Sequence, residues 1–138
     1  MATTATGFRL ELDAAFREKV DGRVAAVTKK IALEALSRVI LKTPVDTGRA
    51  RANWQTQLRV RPDGVIEAAD PSGASAISEG AREIGQLKPY DTVYIANNLP
   101  YISALNSGHS KQAPQGMVEV TIAELQAFFG NISAHEQL

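Results

Sequence analysis

The chain contains no cysteine, so disulfide staples and thiolate metal sites are excluded. A cytosolic origin fits that usage. No apolar run approaches the eighteen or so residues needed to span a bilayer, and no membrane-crossing helix is expected. The opening stretch MATTATGFRLELD has neither a basic n-region nor an apolar core, so no secretory signal is expected there. Histidine is scarce: His109 and His135 have no Cys, His or carboxylate at a persuasive ligand spacing, and no metal is expected. A phosphate-binding P-loop and a dinucleotide-type GxGxxG are also lacking, so the sequence calls for no cofactor.

What remains is ordinary globular material. At 138 residues, 44% apolar and 22% charged, the chain fits one domain with a sizeable core. Its net charge is zero but unevenly spread. Residues 1–61 hold twelve Lys/Arg against six Asp/Glu, whereas residues 62–138 hold three against nine. Either the two halves fold together and cancel, or the molecule has a positive and a negative side suited to head-to-tail ring contacts.

The periodicity predicts an α+β domain over residues 13–134, preceded by a flexible arm (1–12) and followed by a polar tail (135–138). Phe8, Leu10 and Leu12 alternate like a short extended segment. From Asp13 to Lys42, Val20, Val24, Val27 and Ile31 recur at helical spacing, and Pro44 ends the helix. Leu33, Leu36, Val39 and Ile40 spread further around the circumference, predicting cover on two sides, by the chain's own domain alone or by a neighbour as well. Asp46 or Thr47 can cap a short helix through Arg51. Trp54, Thr56, Leu58 and Val60 then alternate with Gln55, Gln57, Arg59 and Arg61, a half-buried strand whose polar face carries two arginines.

After the Pro62-Asp63-Gly64 turn, Val65–Ala69 reads as the returning strand of a hairpin. Ser75–Leu87 suits a helix with Ile77, Ala81, Ile84 and Leu87 inward and Glu79, Arg82 or Glu83 solvated. Thr92–Ala96 is a third strand by its β-branched and aromatic content. Pro100 and Gly108 bracket a short helix. A polar loop follows, and Val118, Ile122, Leu125, Phe129 and Ile132 form an amphipathic helix. Strands and helices do not alternate as βαβ units, so a small, mostly antiparallel sheet of about three strands is expected.

Candidate chemistry is thin. Asp46-Thr47-Gly48 matches the triplet of aspartic proteases, but only one copy is present and no hydrophobic strand leads into it. Ser107, His109 and Ser110 are neighbours in a loop, which does not make an oriented nucleophile. No catalytic residue is assigned. The one basic cluster is Lys42, Arg49, Arg51, Arg59 and Arg61 around Trp54. It suits salt bridges at a subunit interface or, alternatively, a DNA-binding module in which Arg59 and Arg61 face the phosphates.

Three fragments in order carry a resemblance. They are TPVDTGRARANW at Thr43–Trp54, YIANNLPYISALNSG at Tyr94–Gly108, and the Ser110, Gln112, Ala113, Pro114, Gly116, Met117, Val118 pattern. Together, across roughly residues 25–130, they closely resemble the tail-completion or neck proteins of long-tailed bacteriophages, a group that includes minor tail protein Z-like components. The resemblance implies a structural virion protein made in the host cytoplasm. It would assemble as a ring, sixfold by analogy, around the DNA channel, touching the tail terminator and the head connector. The family has no catalytic residues to carry over. Tyr101, Ile102, Leu105 and Met117 would then be apolar anchors, with Gln112, Pro114, Asp46 and Arg49 setting register.

Overall fold

A computed structural model of the protein describes residues 6–12, 23–108, 111–112, 115–129 and 132–137. The expected helical stretch at 13–22 falls outside these residues, as do His109, Ser110, Ala113 and Pro114. The architecture is α+β with an antiparallel sheet.

The longest element is α1, Val24–Lys42. Val24, Ile31, Ala32, Ala35, Leu36, Val39 and Ile40 are buried along it. That stripe is too wide for one partner. The helix packs against α3 (Ala74–Ile84) and α5 (Val118–Phe129), as the spread of apolar residues predicts. Leu41, by contrast, is exposed. Arg51 closes the C-terminal end of α1. Its Nε donates to the Thr43 carbonyl and its Nη2 to the Leu41 carbonyl, both at 3.0 Å, while Nη1 reaches the Pro71 carbonyl at 3.0 Å. Carbonyls at a helix end have no partner in the helix, so a planar guanidinium with several donors suits this place.

Two short elements follow, α2 (Arg49–Ala52) and β2 (Gln55–Leu58). Trp54 enters the core between them, and its Nε1 donates to Thr43 Oγ1 at 2.8 Å. The same hydroxyl donates to the Val39 carbonyl at 2.6 Å. One threonine thus satisfies the indole and ties it to the last turn of α1. Strand β3 (Val93–Asn97) pairs antiparallel with β2, bringing Gln55 opposite Ala96 and Leu58 opposite Val93.

The remaining strands correct the sequence reading. Thr6–Leu12 is no free arm: it is β1, paired with β3 on one side and β4 (Ile132–Gln137) on the other. The sheet has four strands in the order β2-β3-β1-β4. Residue Ile132 continues the helical spacing of α5 yet belongs to β4, so residues 132–137 are neither helix nor a loose tail. Val65–Ala69, the expected hairpin return, forms no strand and is exposed throughout. Its backbone is occupied by side-chain amides instead. Asn53, fully buried, donates to the Ile66 carbonyl and accepts from the Ile66 N–H, while Gln55 Nε2 reaches the Gly64 carbonyl.

Helix α3 ends at Ile84, and Ile84 and the following Leu87 are buried as expected. Ala76 and Gly80 are the other buried residues of the helix, while Ile77 and Ala81 are half-buried. Glu83 is not left to solvent, since its Oε2 accepts from the Leu58 N–H at 3.1 Å. Between α1 and α5 lies a charged staple. Glu124 Oε1 accepts from Lys42 Nζ at 2.6 Å and from Arg38 Nη1 at 3.0 Å. Arg38 also pairs with Glu34 and sits 4.8 Å from the Phe128 ring centre. The Lys42 ammonium, and next the Arg38 guanidinium, hold the Glu124 carboxyl below its ordinary range, against the opposing effect of desolvation. Glu34, and next Glu124, hold Arg38 above its ordinary value.

A carboxyl depressed in the folded state contributes stability above its unfolded pKa and loses it as pH falls through the folded value. Glu124→Gln is therefore expected to lower thermal stability modestly near neutral pH. The gap to the parent chain should close below the ordinary carboxylate range and shrink in high salt. Melting curves of both proteins across pH would check this, and a gap constant with pH would contradict it.

Candidate interface site

The three motif fragments converge on one side of the molecule. Pro44, Val45, Asp46, Thr47, Gly48, Arg49 and Ala50 form one wall of a groove of about 480 Å³, and Tyr101, Leu105, Lys111 and Gln112 form the other. The first wall is held by Gly48. Its φ of 89° is left-handed, and a Cβ there would lie 2.5 Å from the Pro71 nitrogen, so only glycine fits. Its carbonyl accepts from the Asp70 N–H at 3.0 Å. Thr47 Oγ1 accepts from the Arg49 N–H at 3.3 Å, a local turn contact at the start of α2. The Asp-Thr-Gly triplet thus shapes a loop, with Asp46 exposed on its rim.

The second wall is α4, Ile102–Asn106, with Gly108 left-handed behind it at φ 87°, as its position predicts. Asn106 is the anchor. Its Oδ1 accepts from the N–H groups of Met117 (3.0 Å) and Val118 (2.9 Å), the entrance to α5, and its Nδ2 donates to Glu119 at 3.1 Å. An amide can do both jobs because it has acceptor and donor ends. Gly116 completes the approach with φ 84°; a Cβ there would come 2.2 Å from the Asn106 carbonyl oxygen.

Two further amides join the walls. Gln112 Oε1 accepts from the Val45 N–H at 2.8 Å, and its Nε2 donates to the Val45 carbonyl at 2.9 Å. Asn97, fully buried, donates to the Ala50 carbonyl at 3.0 Å and accepts from the Leu99 N–H. Asn98 reaches the Pro62 and Gly64 carbonyls. Asn97, Asn98 and Gln112 thus each satisfy backbone groups of a neighbouring segment.

The candidate interface residues divide. Tyr101, Gln112 and Asp46 are exposed at the groove, while Leu105 and Arg49 line it half-buried. Ile102 and Met117 are fully buried in the core, so they are not surface anchors. Long apolar side chains beside turn residues look the same in sequence whether they face a partner or their own core.

The basic cluster does not form one face. Strand β2 ends at Leu58, and Arg59 takes φ 69°, which breaks the alternation that would have put Arg59 and Arg61 side by side. Arg59 pairs with Asp91 at 2.6 Å, while Arg61 donates to the Pro62 carbonyl and to Asn98. Lys42 is paired with Glu124, Arg49 with Glu67 at 3.4 Å, and Arg51 is spent on carbonyls. These ion pairs join the basic first half to the acidic second half, so the two halves cancel by folding together. Among the described residues, no group of three or more His, Cys, Asp or Glu could hold a metal ion, and no helix is long and apolar enough to cross a membrane. Comparison with protein-family models, curated proteins and solved structures finds no significant match to this chain.

Proposed function

We propose that this protein is a structural component of a phage neck, completing the tail and helping to join it to the head connector as a ring around the DNA channel. One observation carries the reading. The three fragments on which the resemblance rests, far apart in sequence, fold into a single hydrogen-bonded unit around one groove. Its amides fix the shape of the loops, and its exposed Tyr101 and Asp46 are left to meet a neighbour. A rigid loop set with an aromatic at its centre is the form an interface takes. The neighbours implied are further copies of this chain, sixfold by analogy with a tail, and the tail-terminator and connector proteins.

The test is complementation. Particles made without this protein should accumulate as separate heads and tails under the electron microscope, and should join when purified protein is added back. Normal particles in its absence would overturn the reading. Within that assay, Tyr101→Ala should add back poorly while melting within a degree or two of the parent, because Tyr101 is 41% exposed. Joining at the parent level by this variant would move the interface away from the groove.

A further inference from the structure

We infer that the outer edge of β2 is a docking slot for an extended, basic peptide segment of another protein, bound by strand addition. The hydrogen-bond alternation along β2 sets this up. The Arg59 N–H donates across to the Thr92 carbonyl at 2.8 Å, so odd-numbered residues face β3. The Leu58 N–H points the opposite way and is taken by Glu83. The Trp54 N–H, on the same outward side, goes to the Arg51 carbonyl. Thr56 lies between them, so its N–H and C=O also point away from the sheet. Its hydroxyl, buried against α3, has no hydrogen-bond partner among the described residues.

Beside Thr56 is a slot of about 340 Å³. Gln55 and Thr56 form one wall, residues 66 and 68–70 the other, and Ser75, Ala76, Glu79 and Gly80 of α3 the end. The stretch that should have filled it, Val65–Ala69, is held at a distance by the amides of Asn53 and Gln55. An unpaired edge with a ready space is the ordinary setting for strand addition, in which one incoming residue exchanges both backbone bonds with Thr56.

The charges select the guest. Asp70 and Glu79 line the slot and no basic side chain does, which favours Lys or Arg on alternate positions of the incoming strand. A second copy offers no basic strand among the described residues. Arg9 lies on β1, already paired on both edges, Arg59 and Arg61 are engaged internally, and the exposed Lys30, Arg82, Lys88 and Lys111 lie on helices, turns or loops. The guest is therefore another protein's segment. This inference is independent of the neck proposal and concerns a different surface from the groove.

The test uses the full chain and an end-capped octapeptide alternating valine and lysine, with a valine–glutamate peptide as control. The basic peptide should slow hydrogen exchange of the Thr56 amide and shift the amide resonances of Ala68 and Gly80, with the acidic peptide at least tenfold weaker. Glu79→Lys, at an exposed site, should weaken binding tenfold or more without unfolding the chain. Thr56→Pro, tolerated on an edge but lacking the N–H, should abolish the peptide-induced shifts at Ala68 and Gly80. Equal binding of both peptides, binding that leaves Thr56 unprotected, or a Thr56-dependent dimer in sedimentation would each overturn the proposal.

Discussion

Asn106→Ala is expected to cost about 3 kcal/mol and to lower the melting temperature by on the order of 10 °C. Its Oδ1 serves two backbone donors, Met117 and Val118, at residues with no solvent exposure. Removing the acceptor leaves both N–H groups buried and unpaired, at roughly 1–3 kcal/mol each. It also loses the side-chain oxygen that fixes the entrance to α5, for which helix caps give a scale of about 1 kcal/mol. Asn106→Asp separates geometry from charge. It keeps the acceptor but sets a carboxylate against Glu119, so its deficit should shrink as pH falls and the pair takes up a proton. Differential scanning calorimetry of the two variants decides the matter. A loss of only a degree or two for the alanine variant would show that the loop holds without its hub.

A comparable loss is expected at Trp54. Truncation to alanine empties the largest site in the core, at a cost of about 3–5 kcal/mol. Trp54→Phe keeps most of the volume and gives up the bond to Thr43, and should cost about 1 kcal/mol beyond the change of shape. Thr43→Val is expected to be worse than Trp54→Phe alone, because it strands the indole N–H and also frees the Val39 carbonyl. A double-mutant cycle on Trp54→Phe and Thr43→Val should therefore show coupling on the order of 1 kcal/mol, with the pair less damaging than the sum. Additive losses would mean that the bond contributes nothing.

Much of this was legible in the sequence because burial writes itself as a period. The inner face of α1, the ends of α4, the position of β3 and the burial of Ile84 in α3 follow from apolar spacing and from Pro and Gly placement, whereas the buried Ala76 and Gly80 of α3 do not. The errors have a common cause. A sequence pattern shows that a segment is extended or amphipathic, but not what lies beside it. Phe8, Leu10 and Leu12 alternate whether the segment is a free arm or β1. Ile132 fits the spacing of α5 because positions three apart suit a helix even when the chain has turned into β4. Val65–Ala69 has strand-forming residues, yet Asn53 and Gln55 take its backbone from the side.

The candidate site divides in the same way. The glycines at 48 and 116 and the amides at 97 and 112 are legible as turn or loop residues, but their partners are not, and Asn106 reads only as part of a short helix. Ile102 and Met117 were misplaced because nothing in a short apolar run says which way it faces. The basic cluster failed at a single dihedral angle, the left-handed Arg59, which no periodicity signals.

The pairing of β1 with β4 sets Gly7 opposite Gln137, so one side of the sheet is built from segments separated by nearly the whole chain. Such closure is entropically slow, and it must wait on synthesis. The helices around α1, and the β2–β3 pair with its amide-braced loops, can be in place while the nascent polypeptide is still being extended. The edge of β1 that will receive β4 stays open until then. The growing chain therefore carries an unsatisfied strand edge through much of its birth, and folding competes at that edge with aggregation.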